Sequence, residues 1–192
     1  MTVKQIPVNI ICLEYRQDRN DKDYGSCLYA RFYFNLDKYE LSIVSDVGNY
    51  SYKWTETPDS ESFLELMERV SEYYLRHKLC GDPQEFDYEA TKDHMYEYWY
   101  EEPDKKVLDR IFEELEYEDG VQNSADIFLM KFDENNYEDD NIHHAYFSDV
   151  WEMLQYSYTA WQEKICKIFI DIIQPKIKEI LENGKNIELD KR

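Results

Sequence analysis

Period-two alternation is the feature that most narrows what this chain can become. Residues 28–34 place Leu28, Ala30, Phe32 and Phe34 on one side of an extended chain and Tyr29, Arg31 and Tyr33 on the other, the pattern of a strand with one buried face. An earlier strand is read at residues 8–15 and two later ones at 40–45 and 50–54, with turn chemistry at Asn35 to Lys38 and at Gly48-Asn49. Short links between successive strands favour antiparallel neighbours, so residues 1–57 predict a four-stranded β-meander.

After Trp54 the period becomes helical. Pro58 and Asp59 mark a helix start, Phe63, Leu66, Met67, Val70 and Tyr74 follow at i, i+3, i+4, i+7 and i+11, and Gly81-Asp82-Pro83 supplies the stop. Residues 58–81 are therefore expected as one helix covering the apolar face of the sheet. Residues 82–140 read as an acidic helical segment, with helices at 88–100 and at 104–117, where Val107, Leu108, Ile111, Phe112 and Leu115 make a narrow apolar stripe. Residues 127–132 fit either a short strand or a helical turn, and 133–141 a polar loop. Residues 141–192 are expected to be helical, first around Phe147, Val150, Trp151 and Leu154. A longer helix follows through Trp161, Ile165, Ile168, Phe169, Ile172, Ile177 and Ile180, kinked at Pro175 and ended by Asn183-Gly184. The expected fold class is α+β: an N-terminal antiparallel meander packed against helices, an acidic helical middle and a long C-terminal helix. At 192 residues, 43% hydrophobic and 16% aromatic, one folded domain is expected.

The charge is uneven. There are 42 acidic against 22 basic residues, a formal net charge of −20, and residues 82–140 hold 21 of the acids and only 5 of the bases. Such a chain repels nucleic acid and anionic membrane and attracts basic protein surfaces. The bland reading is a solubility coat; its concentration in one segment favours a directed surface. Residues 165–173, the longest strongly apolar run near the C-terminus, are interrupted by Lys167 and Asp171 and fall far short of the roughly 20 residues of a membrane span. Residues 1–7 hold no apolar signal core, and a cytoplasmic protein is expected. Cys12, Cys27, Cys80 and Cys166 form no CxxC pair, and Cys12, Cys27 and Cys166, set in apolar patterns, are expected as buried thiols.

The order of parts carries a resemblance. The stretch Gly48-Asn49-Tyr50-Ser51-Tyr52-Lys53-Trp54, a helix opening near Phe63-Leu64 and ending Tyr73-Tyr74-Leu75-Arg76-His77-Lys78-Leu79, an acidic middle, and a C-terminal helix around Gln174-Pro175 resemble uncharacterised accessory proteins of bacteriophages and prophages. The resemblance implies a phage or mobile-element origin, hence the cytoplasm of a bacterial host, and carries no catalytic residues over.

No local signature of catalysis is present: there is no GxSxG elbow, no Gly-rich phosphate cradle and no Glu-x-x-His pair. His94 and Glu97 lie three apart and share a helix face, and His143-His144 follow Asp139-Asp140, but a loop opening at Asp133-x-Asn135-x-Tyr137 has Glu138 where a calcium loop needs Gly and His144 where it needs Glu. No catalytic residue, metal ligand or cofactor is assigned. Tyr96, Tyr98, Trp99 and Tyr100 stand within the acidic segment, where Tyr offers contact area with a hydrogen-bonding tip. They serve either helix packing or a protein-facing surface.

The reading is a non-enzymatic binding or inhibitory protein, an acidic nucleic-acid mimic that occupies a basic groove of a host nucleic-acid-processing or defence protein such as a nuclease. Its partner-binding residues are taken as Glu97, Tyr98, Tyr100, Glu101, Glu102, Glu113, Glu114, Glu116, Glu118 and Asp119. The alternatives are a phage adaptor or structural protein, and a metal-dependent hydrolase using carboxylates with His94 or His143.

Overall fold

Residues 28–34 realise most of their alternation in a four-stranded antiparallel sheet, seen in a computed structural model that describes residue 3 and residues 7–57, 61–136 and 146–189. In chain order the elements are β1 (Ile10–Arg16), β2 (Tyr29–Asn35), β3 (Glu40–Ser45), β4 (Gly48–Lys53), α1 (Phe63–Arg69), α2 (Glu72–Cys80), the short β5 (Glu85–Phe86), α3 (Tyr88–Tyr98), α4 (Glu102–Leu115) and α5 (Ala125–Asn135). A 3-10 turn (Val150–Met153), β6 (Tyr156–Ser157), α6 (Ala160–Ile168), a π-helical turn (Phe169–Ile173) and α7 (Gln174–Leu189) follow, giving an α+β fold with a long C-terminal helix. Contacts divide the chain into two compact units, Met1–Asp82 with Thr159–Arg192 and Pro83–Tyr158, where the sequence reading takes one domain. Each unit has its own buried cluster.

In the first unit the strands pair in the order β1-β2-β3-β4, the expected meander. Ala30, Phe32 and Phe34 of β2 and Leu41 and Ile43 of β3 are buried on one face, with Ile11, Leu13, Tyr15, Tyr50 and Tyr52 half-buried around them. Leu28 does not join that face. It precedes β2, is 44% exposed, and its N–H donates to Asp46 Oδ2 at 3.0 Å, so the chain is still following a loop there. Cys12 is exposed, because Ile11 and Leu13 take the inward positions of β1 and Cys12 the outward one between them. Cys27 and Cys166 are buried as expected. The turn between β3 and β4 also differs: Ser45 pairs with Gly48, so Asp46 and Val47 form the two-residue loop and Gly48-Asn49 open the strand. Gly48 has φ +128°, a conformation glycine adopts without strain, and the Tyr50 hydroxyl lies 2.8 Å from where a Cβ would sit.

The expected helix over 58–81 is two helices; Pro58 and Asp59 lie outside the described residues. Ser62 caps α1 in a capping box with Glu65, and Ser71 starts α2 by accepting from the Tyr74 N–H. The break falls at Val70, whose backbone is extended, because the Ser71 side chain offers the backbone an alternative partner. The carbonyls left open there are satisfied from far along the chain. Gln174 Nε2 donates to Met67 O at 3.0 Å and to Val70 O at 2.7 Å. Gly81, at φ +74°, ends α2 as the sequence indicates, its N–H donating to His77 O.

The C-terminal helix covers the sheet. Phe169 packs its ring 5.9 Å from Phe32 and 6.3 Å from Phe34, centroid to centroid. Ile165, Phe169, Ile173 and Ile177 are buried at steps of four, whereas an α-helix needs 3.6, and the π-helical turn absorbs the drift. That turn leaves Ile172 46% exposed, and Trp161 is 51% exposed, so neither belongs to the buried stripe the sequence suggests. Pro175 is the second residue of α7, one position past the π turn, and the helix continues through it. Asn183-Gly184 does not end it either: Gly184 has no left-handed φ, and α7 runs to Leu189.

The second unit is mainly helical. Leu108, Ile111, Phe112 and Leu115 of α4 are buried against Tyr88 and Met95 of α3 and Phe128 and Phe132 of α5, with Val121, Phe147, Val150 and Met153. The region 127–132, open between strand and helix in sequence, is helix, and α5 extends through Asp133 to Asn135, residues expected in a loop. Ser124 caps it by accepting from the Ile127 N–H. Buried Thr91 accepts from the Gln155 N–H at 2.9 Å, and the Asp87 N–H donates to Gln155 O at 2.9 Å, tying α3 to the strand pair β5-β6.

Candidate functional site

The acidic surface is built on α4. Its inward stripe, Leu108, Ile111, Phe112 and Leu115, falls at i, i+3, i+4 and i+7, which turns Glu102, Lys106, Asp109, Arg110, Glu113 and Glu114 to the exposed side. Pro103 stands in the first turn, where its missing N–H costs no hydrogen bond, and Glu102 and Asp104 lie at the positive end of the helix dipole.

All ten residues taken as partner-binding are exposed. They form two groups. Glu97 and Tyr98 at the end of α3, Tyr100 and Glu101 in the link, and Glu102 at the start of α4 make the first. Glu113 and Glu114 near the end of α4, with Glu116, Glu118 and Asp119 beyond it, make the second. Glu113 lies eleven positions beyond Glu102 on the helix, roughly 16 Å along the axis at 1.5 Å per residue. Lys106 and Arg110 interrupt the carboxylates between them, and Arg110 reaches the α5 terminus by donating to Asn135 O at 3.3 Å. Glu118 is ion-paired with Lys131 at 3.3 Å, which also holds Glu134 at 2.9 Å.

The aromatic run divides by face. Tyr96 and Trp99 point inward, Tyr96 stacking on Phe112 at 5.7 Å and Trp99 packing on Phe147 at 4.5 Å. Burial, and then donation of the Tyr96 hydroxyl to Asp109 Oδ1 at 2.7 Å, push the phenol well above its usual range, so this bond pins α3 to α4. Tyr98 and Tyr100 are 59% and 69% exposed, and Tyr117, at 87%, lies beside the second acidic group in sequence. Helix packing thus accounts for Tyr96 and Trp99, while Tyr98 and Tyr100 stand on the exposed side.

His94 faces the fold: its Nδ1 lies 3.1 Å from Met153 O and 2.7 Å from Gln155 Nε2, while Glu97 is exposed. His143, His144 and residues 137–140 lie outside the described residues, and Asp133 and Asn135 belong to the last turn of α5. Among the described residues no group of three or more His, Cys, Asp or Glu side chains is placed to hold a metal ion, and no helix is long and apolar enough to cross a membrane.

The charge partition follows the structural one. Residues 83–158 carry 22 acids and 5 bases, a net of −17, and the other unit carries 20 acids and 17 bases, a net of −3. The acidic segment read from sequence, 82–140, lies largely within the unit Pro83–Tyr158. The sequence pattern sets Trp151 with Phe147, Val150 and Leu154 in one amphipathic stretch. The structure buries Phe147 and Val150 and leaves Trp151 62% exposed, as adjacency to Val150 requires, since i and i+1 do not share a helix face.

The family model of a phage family, Phage_phiTE_072, matches residues 1–179. No curated protein and no solved structure matches the chain.

Proposed function

Because the chain belongs to the phage family whose model matches residues 1–179, we propose that it is a non-enzymatic phage binding protein. It lays its acidic helical unit against a basic surface of a host protein, as a nucleic-acid mimic does when it blocks a nuclease or another nucleic-acid-processing or defence protein. The observation that carries this reading is the coincidence of charge and unit: −17 of the −20 net charges fall on residues 83–158. A solubility coat works equally well spread over both units, whereas a surface directed at a basic groove must gather its charge on one. The two exposed groups flanking α4, with Tyr98, Tyr100 and Tyr117 among them, offer carboxylates for Arg and Lys and aromatic faces for their side chains to stack on.

The test is partner capture from a bacterial lysate at about 50 mM salt, with elution by salt rising to about 500 mM and competition by duplex DNA. Neutralising Glu113, Glu114, Glu116 and Asp119 together should release the partner. Neutralising Glu56, Glu68, Asp171 and Glu182 of the other unit should not. Glu61, Glu65, Glu72 and Glu179 are unsuited as controls because each holds a hydrogen bond or ion pair. Equal loss in both sets, or capture indifferent to salt, would remove the mimic. Salt-insensitive capture that depends on Tyr98, Tyr100 and Tyr117 would favour the adaptor reading, which their exposure supports.

A further inference from the structure

A cleft of about 340 Å³ opens in the acidic unit beside the 3-10 turn. Leu129, Phe147 and Val150 give it an apolar lining, and Asp133, Ser148, Asp149 and Trp151 complete it. Leu129 and Asp133 are i and i+4 on α5, so one helix face supplies both an apolar wall and a carboxylate. Asp149 takes a left-handed backbone, φ 56° and ψ 31°, immediately before the turn that carries Val150 and Trp151. Phe147 and Val150 are buried, while Trp151 lines the cleft yet is 62% exposed. Neither Asp133 nor Asp149 makes a side-chain hydrogen bond or ion pair among the described residues. Each carboxylate is thus open to a cation from outside.

We propose that this cleft is a receptor for one arginine side chain of a basic partner protein. The volume is at the low end for ligand sites, about right for a side chain and too small for most cofactors. An arginine suits each part of it: the methylene stem meets Leu129, Phe147 and Val150, the guanidinium plane stacks on the Trp151 indole, and its fork of N–H donors serves the two carboxylates. A neutral ligand would leave the carboxylates unused, and an anion would be repelled. The proposal rests on the acidic-surface reading for the nature of the partner, but it names different residues from the two groups flanking α4, so the two can fail separately.

The experiment is a titration of the ¹⁵N-labelled full chain with the peptide acetyl-Gly-Arg-Gly-amide, following the Trp151 indole N–H, identified by its loss in Trp151→Phe. The control peptide replaces arginine with citrulline, its neutral isostere. Asp149→Asn keeps a residue type that tolerates the left-handed backbone, and Asp133→Asn is isosteric, so the double variant tests charge without disturbing the fold. The Trp151 signal should move saturably with the arginine peptide. Affinity should fall at least about fivefold with citrulline or in the Asp133→Asn, Asp149→Asn variant, and stay within about twofold in Glu113→Gln, Glu114→Gln. Equal response to citrulline, or equal loss in the two double variants, would overturn the receptor. Shifts confined to α4 and its flanking turns would overturn the receptor and leave the acidic-surface reading standing. An arginine-specific shift at Trp151 alongside salt-insensitive partner capture would support the receptor and overturn that reading.

Discussion

Asn136 and Phe147 exchange two hydrogen bonds: Asn136 Nδ2 donates to Phe147 O at 2.8 Å, and the Phe147 N–H donates to Asn136 Oδ1 at 2.9 Å. The Tyr146 N–H adds a third by donating to Asn136 O at 3.0 Å. Asn136 is fully buried, so its amide stands in for a stretch of partner backbone and closes the chain onto itself across residues 137–145. Removing it orphans one buried donor and one buried acceptor. Asn136→Ala should therefore cost about 2 to 4 kcal/mol, and Asn136→Asp, which keeps an acceptor but faces a carbonyl with a carboxylate, at least as much at neutral pH. Chemical denaturation followed by near-UV circular dichroism reads both. A loss below about 0.5 kcal/mol, the size of an ordinary surface change, would show that the pair is not structural.

The first unit turns on Phe169. Its ring touches Phe32 and Phe34 and is fully buried, so Phe169→Ala or Phe32→Ala should cost about 3 to 5 kcal/mol. Ile172 and Trp161, which a straight α-helical reading places in the same stripe, are half exposed, and their replacement by Ala should cost less than about 1.5 kcal/mol. Equal losses at Phe169 and Ile172 would remove the π-helical turn as the reason for the difference.

Gly48 is held at φ +128°, and a Cβ there would stand 2.8 Å from the Tyr50 hydroxyl, which donates to Val47 O at 3.0 Å. Gly48→Ala should lower stability by about 1 to 3 kcal/mol, the cost of a backbone forced outside the conformations of an L residue. In a Tyr50→Phe background, which removes the hydroxyl but not the torsion, Gly48→Ala should cost less yet still destabilise, as thermal unfolding of the four members of the cycle would show.

Asp46 gives the first unit an acid-sensitive joint. Partial burial pushes its carboxyl upward, but the Leu28 and Tyr29 N–H groups, donating at 3.0 and 3.2 Å, outweigh it and hold the carboxyl below its ordinary value. A folded value below the unfolded one means that the contribution is complete above the unfolded value, about 3.9, and is lost as the pH falls through the folded value. Asp46→Asn should therefore flatten the acid limb of the stability profile below about pH 4, by a modest amount because the group is largely exposed and screened. An acid limb of unchanged slope would rule Asp46 out.

Much of the fold was legible because local periodicity and global packing agree. Phe32 and Phe34 alternate in sequence and are buried in the sheet, and the stripe from Leu108 to Leu115 is the buried face of α4. Legibility failed where a single backbone group decides. Ser71 splits a helix whose apolar spacing runs unbroken, and the π-helical turn shifts burial from Ile172 to Ile173, which no side-chain pattern announces. The acidic site was legible as composition but not as geometry. That Lys106 and Arg110 interrupt it, that Tyr96 and Trp99 face inward, and that Asp133, Asp149 and Trp151 share a cleft all depend on which face each side chain takes.

Strands β5 and β6 pair Glu85 with Ser157 and Phe86 with Tyr156, near the two points where the acidic unit begins and ends. Its entry and exit strands therefore run side by side, about one strand spacing or 4.8 Å apart. A segment whose ends meet in space can be replaced without rethreading the remainder, whose sheet and C-terminal helix share one core. Replacing the whole acidic segment is therefore a single exchange between residues 83 and 158, after which the near-neutral remainder needs only one short link to close.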